Sequence, residues 1–360
     1  MKRKVSLCFL LIAVFAISCK ETVIEKGVLT NSSNELILYN WEEYTPANII
    51  EQFEKETGIK VVIKEFQTVD EQIATLQSEP DFCDLTIVGV TEAKQVFTPL
   101  KLIEEIDRNQ LTGNHKYNDF FKNSETYGVP YCSGLLGFAV DKRYVDLAFK
   151  DFSFLVSDPQ YKGKISLLDE PSDIYYLLMN SVGASVNSVN RDDHDRARQF
   201  TSKIISMEPH IQDLYSGLDD LNEGKIWMAM AYSGDALMYQ EENSNIEFVY
   251  PQDRPFIWRD MLCLNINAPN KKNAYRFLDF INTPQVAAEI AVQFKTSPGI
   301  IGAEKYMDRE TMTNPLVNIP KSLSDTCEVI VRFKENNAII NELYTYLVNG
   351  SHKDDNDEYK

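Results

Sequence analysis

The chain has no surplus of basic charge. Its 36 Lys and Arg face 54 Asp and Glu, for a formal charge of −18. Phosphate backbones are bound through clustered positive charge, so nucleic acid is not an expected partner. A cationic partner is favoured electrostatically. Histidine is scarce as well: the 4 residues, His115, His194, His210 and His352, are scattered. No GxSxG, HExxH, GxGxxG or P-loop occurs, which removes the commonest hydrolase, zinc, dinucleotide and nucleotide signatures. Paired acids could serve glycoside hydrolysis, but nothing in the sequence brings two of them to the required separation. An enzyme is therefore not expected, and no cofactor is implied. The 6 cysteines show no zinc or redox spacing. Cys83, Cys132, Cys263 and Cys327 read as buried free thiols. A disulfide is possible outside the cytoplasm, but spacing pairs none of them.

Long apolar runs are also missing. The longest, Val5–Ile17, follows Lys2, Arg3 and Lys4. A comfortable membrane span needs about 20 residues, so this run fits a signal peptide. Ala16-Ile17-Ser18-Cys19 has the form of a lipoprotein cleavage site, with Cys19 as the acylated N-terminus. Plain secretion or a retained anchor are the alternatives. Residues 19–34 read as a lipidated N-terminus and tether after a leader over 1–18, and 351–360 as a disordered tail.

What remains is an alternation of apolar runs and helical patterns with no internal repeat. ELILYN (35–40) reads as a strand, and Thr45 and Pro46 as N-cap and first residue of a helix. Gly58 ends that helix. IKVVIKEF (59–66), a helix over 69–79 and CDLTIVG (83–89) complete a β-α-β-α-β order. That order implies a parallel sheet covered by helices. KISLLD, KIWMAMAY and FIWRDMLCLNI are further strands, each followed by a helix. Two α/β lobes, with 44% hydrophobic residues to fill them, are expected.

In such sheets ligands bind at the carboxyl ends of strands. Four such ends stand out. Trp41, Glu42, Glu43 and Tyr44 follow the first strand; alone they could be a solvated turn. Glu170 and Asp173 flank Pro171, where acids simply favour a helix N-terminus. Tyr232 and Asp235 surround a Ser-Gly turn, and Asp235 could be an ordinary N-cap. Trp258 and Asp260 share one strand face while Arg259 faces away; a pairing of Asp260 with Arg254 is the plain structural alternative. Together they repeat one theme: an aromatic ring beside a carboxylate. Carboxylates hold ammonium groups by charge-assisted hydrogen bonds. Rings stack on methylene chains and attract the charge. A slender organic cation suits such a site.

LYNWEEYTPANIIEQFEKETGIKV, DLTIV, GVPYCSGLLGFAVD, YKGKISLLDEPSDIYYLLMNSVG, LNEGKIWMAMAYSGDA and PFIWRDMLCLN occur in that order. Over roughly residues 35–350 the chain thereby resembles the periplasmic spermidine/putrescine-binding proteins of bacterial ABC transporters. The resemblance implies a two-lobed periplasmic-binding-protein fold with crossing hinge strands: lobe one over 35–137 plus 261–304, lobe two over 138–260 plus 305–350. It implies a polyamine ligand, an ABC permease as partner and a periplasmic, lipid-anchored location. It carries ligand contacts onto Trp41, Glu42, Glu43, Tyr44, Glu170, Asp173, Tyr232, Asp235, Trp258 and Asp260, with no metal. Departures fall at Gly89 and Thr91, where the family has a pocket Ser and a Tyr, at Phe294 or Lys295 in place of a further Tyr, and at a C-terminal Gln with no counterpart. A Lys in the pocket would oppose a polyamine. Another small solute, or a surface interaction protein descended from a solute binder, are the alternative readings.

Overall fold

The structure, a computed structural model, describes residues 31–113, 116–147, 149–331 and 333–351. The leader, Cys19 and the tail beyond Ser351 lie outside these residues.

Strand β1 (Glu35–Trp41) leads into helix α1 (Ala47–Thr57), β2 (Lys60–Phe66), helix α2 (Val69–Ser78) and β3 (Leu85–Gly89). β1 pairs in parallel with both β2 and β3, as the β-α-β-α-β order requires. Helix α1 starts one residue later than the sequence suggests: Pro46 is its N-cap and makes no side-chain cap. Thr45 is otherwise engaged, because its hydroxyl accepts from Asn40 Nδ2 at 2.9 Å. Ile49, Ile50 and Phe53 form the buried stripe of α1. Gly58 closes the helix at φ 70, a left-handed conformation that suits a residue without Cβ.

A short turn α3 (Val90–Glu92) and strand β4 (Ile103–Glu104) precede the long strand β5 (Val129–Asp141). The second half repeats the alternation. It contains β6 (Ile165–Leu168), α4 (Pro171–Ser181), α5 (Arg191–Ser206), β7 (His210–Gln212), α6 (Leu214–Asn222), β8 (Met228–Tyr232), α7 (Ser233–Glu242) and β9 (Ile246–Val249). Strand β10 (Phe256–Asn265) then runs back, followed by α8 (Lys271–Ile281), α9 (Pro284–Phe294), β11 (Ser297–Pro298), α10 (Arg309–Thr313), α11 (Lys321–Ser324) and α12 (Phe333–Ser351). The main sheet path is β2-β1-β3-β10-β5-β8-β6-β7.

Two strands carry the chain between two cores. On β5, Cys132 belongs to the first core, while Leu136, Phe138 and Val140 belong to the second. On β10, Met261–Leu264 belong to the first and Phe256 to the second. β5 and β10 lie antiparallel, with a register shift between Asp260 and Met261. Every residue of β5 is buried, so the crossing runs through the interior. In the first core Phe53 packs edge-on against Phe277 at 4.9 Å; truncating such a ring to Ala costs about 3–5 kcal/mol. A third connection follows β10: Ile257 N donates to Glu328 O, and the Thr91 hydroxyl donates to Ile330 O.

Two local differences are informative. Residues 31–34, expected in the tether, are docked: the backbone N–H groups of Ser32 and Ser33 donate to Asn270 Oδ1 at 3.0 and 2.8 Å. Cys83, Cys132 and Cys263 are free and buried, as expected, whereas Cys327, also free, is only half-buried. Among the described residues no helix is long and apolar enough to cross a membrane.

Candidate functional site

The site grows from the crossing strands outward. Asp260 on β10 stands opposite Gly89 on β3 and opposite Cys132 on β5. The Tyr44 hydroxyl meets both Cys132 and Asp260, lying 2.6 Å from Cys132 Sγ and donating to Asp260 Oδ2 at 3.4 Å. Tyr44 is fixed in turn by the ring of Phe294 at 5.0 Å and by Tyr131, whose hydroxyl donates to the Tyr44 carbonyl at 2.8 Å. Withdrawal from water, then the charge of Glu92, pushes the Asp260 carboxyl up to about 7; the Tyr44 bond works against this. Asp260 does not pair with Arg254, which instead donates to Gly183 O and lies 3.7 Å from Glu328. Arg259 points away, as strand alternation predicts, and its Nη1 donates to Phe120 O at 2.7 Å.

The second group forms at the start of α4. Glu170 is its N-cap, Pro171 its first residue and Asp173 lies in its first turn, as the sequence suggests. The cap bond from Ser172 N is long, at 3.5 Å, while Ser172 Oγ donates to Glu170 at 3.0 Å. Asp173 is 6% exposed and accepts from the Tyr232 hydroxyl at 2.7 Å. Burial, then the neighbouring Glu170 charge, raises Asp173 to about 8. Withdrawal from water raises Glu170 to about 6, against the bonds from Ser172.

Tyr232 links the two groups: its ring meets Trp258 edge-on at 5.8 Å. Trp258 can lie where it does because residue 134, its partner on β5, is glycine. A Cβ there would stand 2.7 Å from the indole ring.

The third group is at the start of α7. Asp235 is not the N-cap; Tyr232 holds that position and makes no side-chain cap. Asp235 lies in the first turn and accepts from the Tyr215 hydroxyl at 3.4 Å. Withdrawal from water raises its carboxyl to about 6.

The turn after β1 divides. Tyr44 is in the centre. Glu43, at φ 57, brings its charge to bear on Tyr215. Trp41 rests on Phe66 at 4.4 Å, and Glu42 is exposed and accepts from Gln67 Nε2 at 3.0 Å. No described contact joins Trp41 or Glu42 to the three groups. Lys295, a possible opponent of a cation, is paired with Glu241 at 2.7 Å.

Two residues were missed from sequence. Glu92, in the turn after β3, acts electrostatically on Asp260, Asp173 and Glu170, and Tyr215 holds Asp235. Glu92 follows the carboxyl end of a strand, the same signal that marked the others, but no aromatic neighbour drew attention to it. Among the described residues, no Lys, Arg or His forms an ion pair with Glu92, Glu170, Asp173, Asp235 or Asp260. Nor does any group of three or more His, Cys, Asp or Glu there have the geometry to hold a metal ion. The arrangement can receive more than one positive charge, with rings beside them.

A two-lobed α/β fold with acids gathered at its crossing strands suits a solute-binding protein. The sequence profile of the bacterial extracellular solute-binding proteins matches residues 48–313, and the chain belongs to that family. It is similar to the spermidine/putrescine-binding periplasmic protein of Salmonella typhimurium, 26% identical over 333 residues, which covers 89% of this chain and 93% of that one. It is similar also to the putrescine-binding periplasmic protein PotF of Escherichia coli, 27% identical over 324 residues, covering 82% of this chain and 85% of that one. The solved structure of the spermidine/putrescine ABC transporter substrate-binding protein PotD from Streptococcus pneumoniae matches with a TM-score of 0.77 at 21% identity, over 89% of this chain and 100% of that chain. This likeness establishes the periplasmic-binding-protein fold.

Proposed function

We propose that the protein binds polyamines, putrescine, spermidine or both, outside the cytoplasm and delivers them to an ABC permease. The observation that carries this reading is the gathering of Asp173, Asp260, Asp235, Glu170 and Glu92 around aromatic rings without an ion-paired cation. Withdrawn carboxylates of like charge are unfavourable alone and become favourable when ammonium groups arrive. Asp260, Asp173 and Asp235 receive the ammonium groups with Glu170 assisting, and Glu42 and Glu43 add at most a weak, solvent-screened attraction from the exposed turn. Trp258 and Tyr232 pack on the methylene chain, each ring worth about 0.5–2 kcal/mol toward a nearby cation. Trp41 and Tyr44 close from the other lobe. The lobes are 35–137 plus 261–304 and 138–260 plus 305–350; the membership of the two cores supports crossings on β5 and β10, with Leu136 already packed in the second core. The protein is a carrier and not a catalyst, and acylated Cys19 holds it at the membrane surface.

Isothermal titration of the mature protein with putrescine, spermidine and spermine tests the ligand. Saturable binding of at least one is expected. Absence of binding by all three at low salt, where screening is weakest, would overturn the reading. The anchor is tested separately: Cys19→Ser should move the protein from the membrane fraction to the soluble one.

A further inference from the structure

We infer that Glu92 is a specificity-determining residue of the cleft, a carboxylate placed beside Asp260 that favours a linear triamine over a diamine. The inference rests on the polyamine reading above and concerns the number of charges the ligand carries. Its basis is the strand register. Gly89 and Asp260 are direct partners on β3 and β10, and directly opposed residues project from the same sheet face. Gly89 has no side chain to project. In its place lies the Glu92 carboxylate: a Cβ on residue 89 would stand 2.2 Å from Glu92 Oε2. Glu92 therefore occupies the space beside Asp260 that a side chain at 89 would fill.

Conformation does not explain this glycine. Residue 89 has φ −59 and ψ 143, which any residue adopts. Space does explain it. The charge of Glu92 acts on Asp260 and also on Asp173 and Glu170 at the start of α4. The Arg259 charge also acts on Glu92, but that guanidinium donates to the Phe120 carbonyl and makes no ion pair with Glu92 within the site. A diamine has two ammonium groups for three acid groups and can leave the Asp260–Glu92 pair without one. A triamine supplies all three, the one at Asp260 being shared with Glu92.

Glu92→Gln keeps the side-chain shape and removes the charge. It should weaken spermidine by about tenfold, the worth of one partly desolvated ion pair, and putrescine by less than about threefold. Gly89→Ala tests the same claim with Glu92 intact. Its Cβ must push the flexible carboxylate aside, and the same selectivity shift is expected. The double variant should be no worse for spermidine than Glu92→Gln alone, because both changes remove one interaction. Titrations of wild type and variants with spermidine and putrescine, after circular dichroism confirms folding, decide the matter. Equal weakening of both amines, or no weakening, overturns the role of Glu92 and leaves polyamine binding standing. Failure of the wild type to bind either amine overturns the polyamine reading, and this inference with it.

Discussion

The turn after β1 and the start of α4 each carry candidate carboxylates, but in opposite physical states. Glu42 and Glu43 are exposed; Glu42 is satisfied by Gln67. Asp173 is buried, is hydrogen-bonded by Tyr232 and is pushed upward by burial and by Glu170. A solvated carboxylate gains little from a cation, because water already stabilises it and salt screens the attraction. A desolvated one gains much. The same residue type thus contributes very unequally, and burial decides which acids matter.

Mutations should separate the two regions clearly. Asp173→Asn and Asp260→Asn should each weaken polyamine binding by about 100-fold, since truncating a desolvated charge pair costs about 2–5 kcal/mol. Thermal unfolding of the ligand-free proteins should be unchanged or slightly raised, because repulsion among the acids is relieved. A collapse of ligand-free stability would make these acids structural. Trp258→Ala should weaken binding by about 10- to 30-fold, through loss of ring contact and charge attraction.

The pH dependence gives a third measure. In the unfolded chain Asp173 titrates near its ordinary value of about 3.9, and in the folded protein near 8. Between these values the folded state binds more protons than the unfolded one, so this group's stabilisation is complete below about pH 4 and is lost as pH rises toward 8. The melting temperature of ligand-free wild type should therefore fall relative to that of Asp173→Asn as pH rises from 5 to 8. Parallel profiles would contradict the raised value. The smallest effect belongs to the exposed turn: Glu42→Gln should change affinity by less than about twofold, read by the same titration. A tenfold loss would place Glu42 among the desolvated acids.

Much of this was legible in sequence because the signals were local. The cap at Glu170, the Pro171 start and the placement of Asp173 are set within four residues, and the structure has them as expected. The shared face of Trp258 and Asp260 follows from strand alternation. The helix start at Thr45 failed because Asn40, on the preceding strand, takes the Thr45 hydroxyl. Asp235 failed as a cap because α7 begins directly at the end of β8, which makes Tyr232 the N-cap. Glu92 was invisible for a different reason. Its place beside Asp260 depends on pairing between β3 and β10, strands far apart in the chain, and periodicity carries no register. The opposition of Trp258 and Gly134 was hidden in the same way.

The raised carboxyls have one more consequence. An empty cleft with Asp173 near 8 and Asp260 near 7 holds protons at neutral pH. A full one, on the proposed reading, holds ammonium groups against ionised acids, so the protons must leave as the ligand enters. On that reading, loading should release protons to the surrounding medium, and acidification should weaken binding.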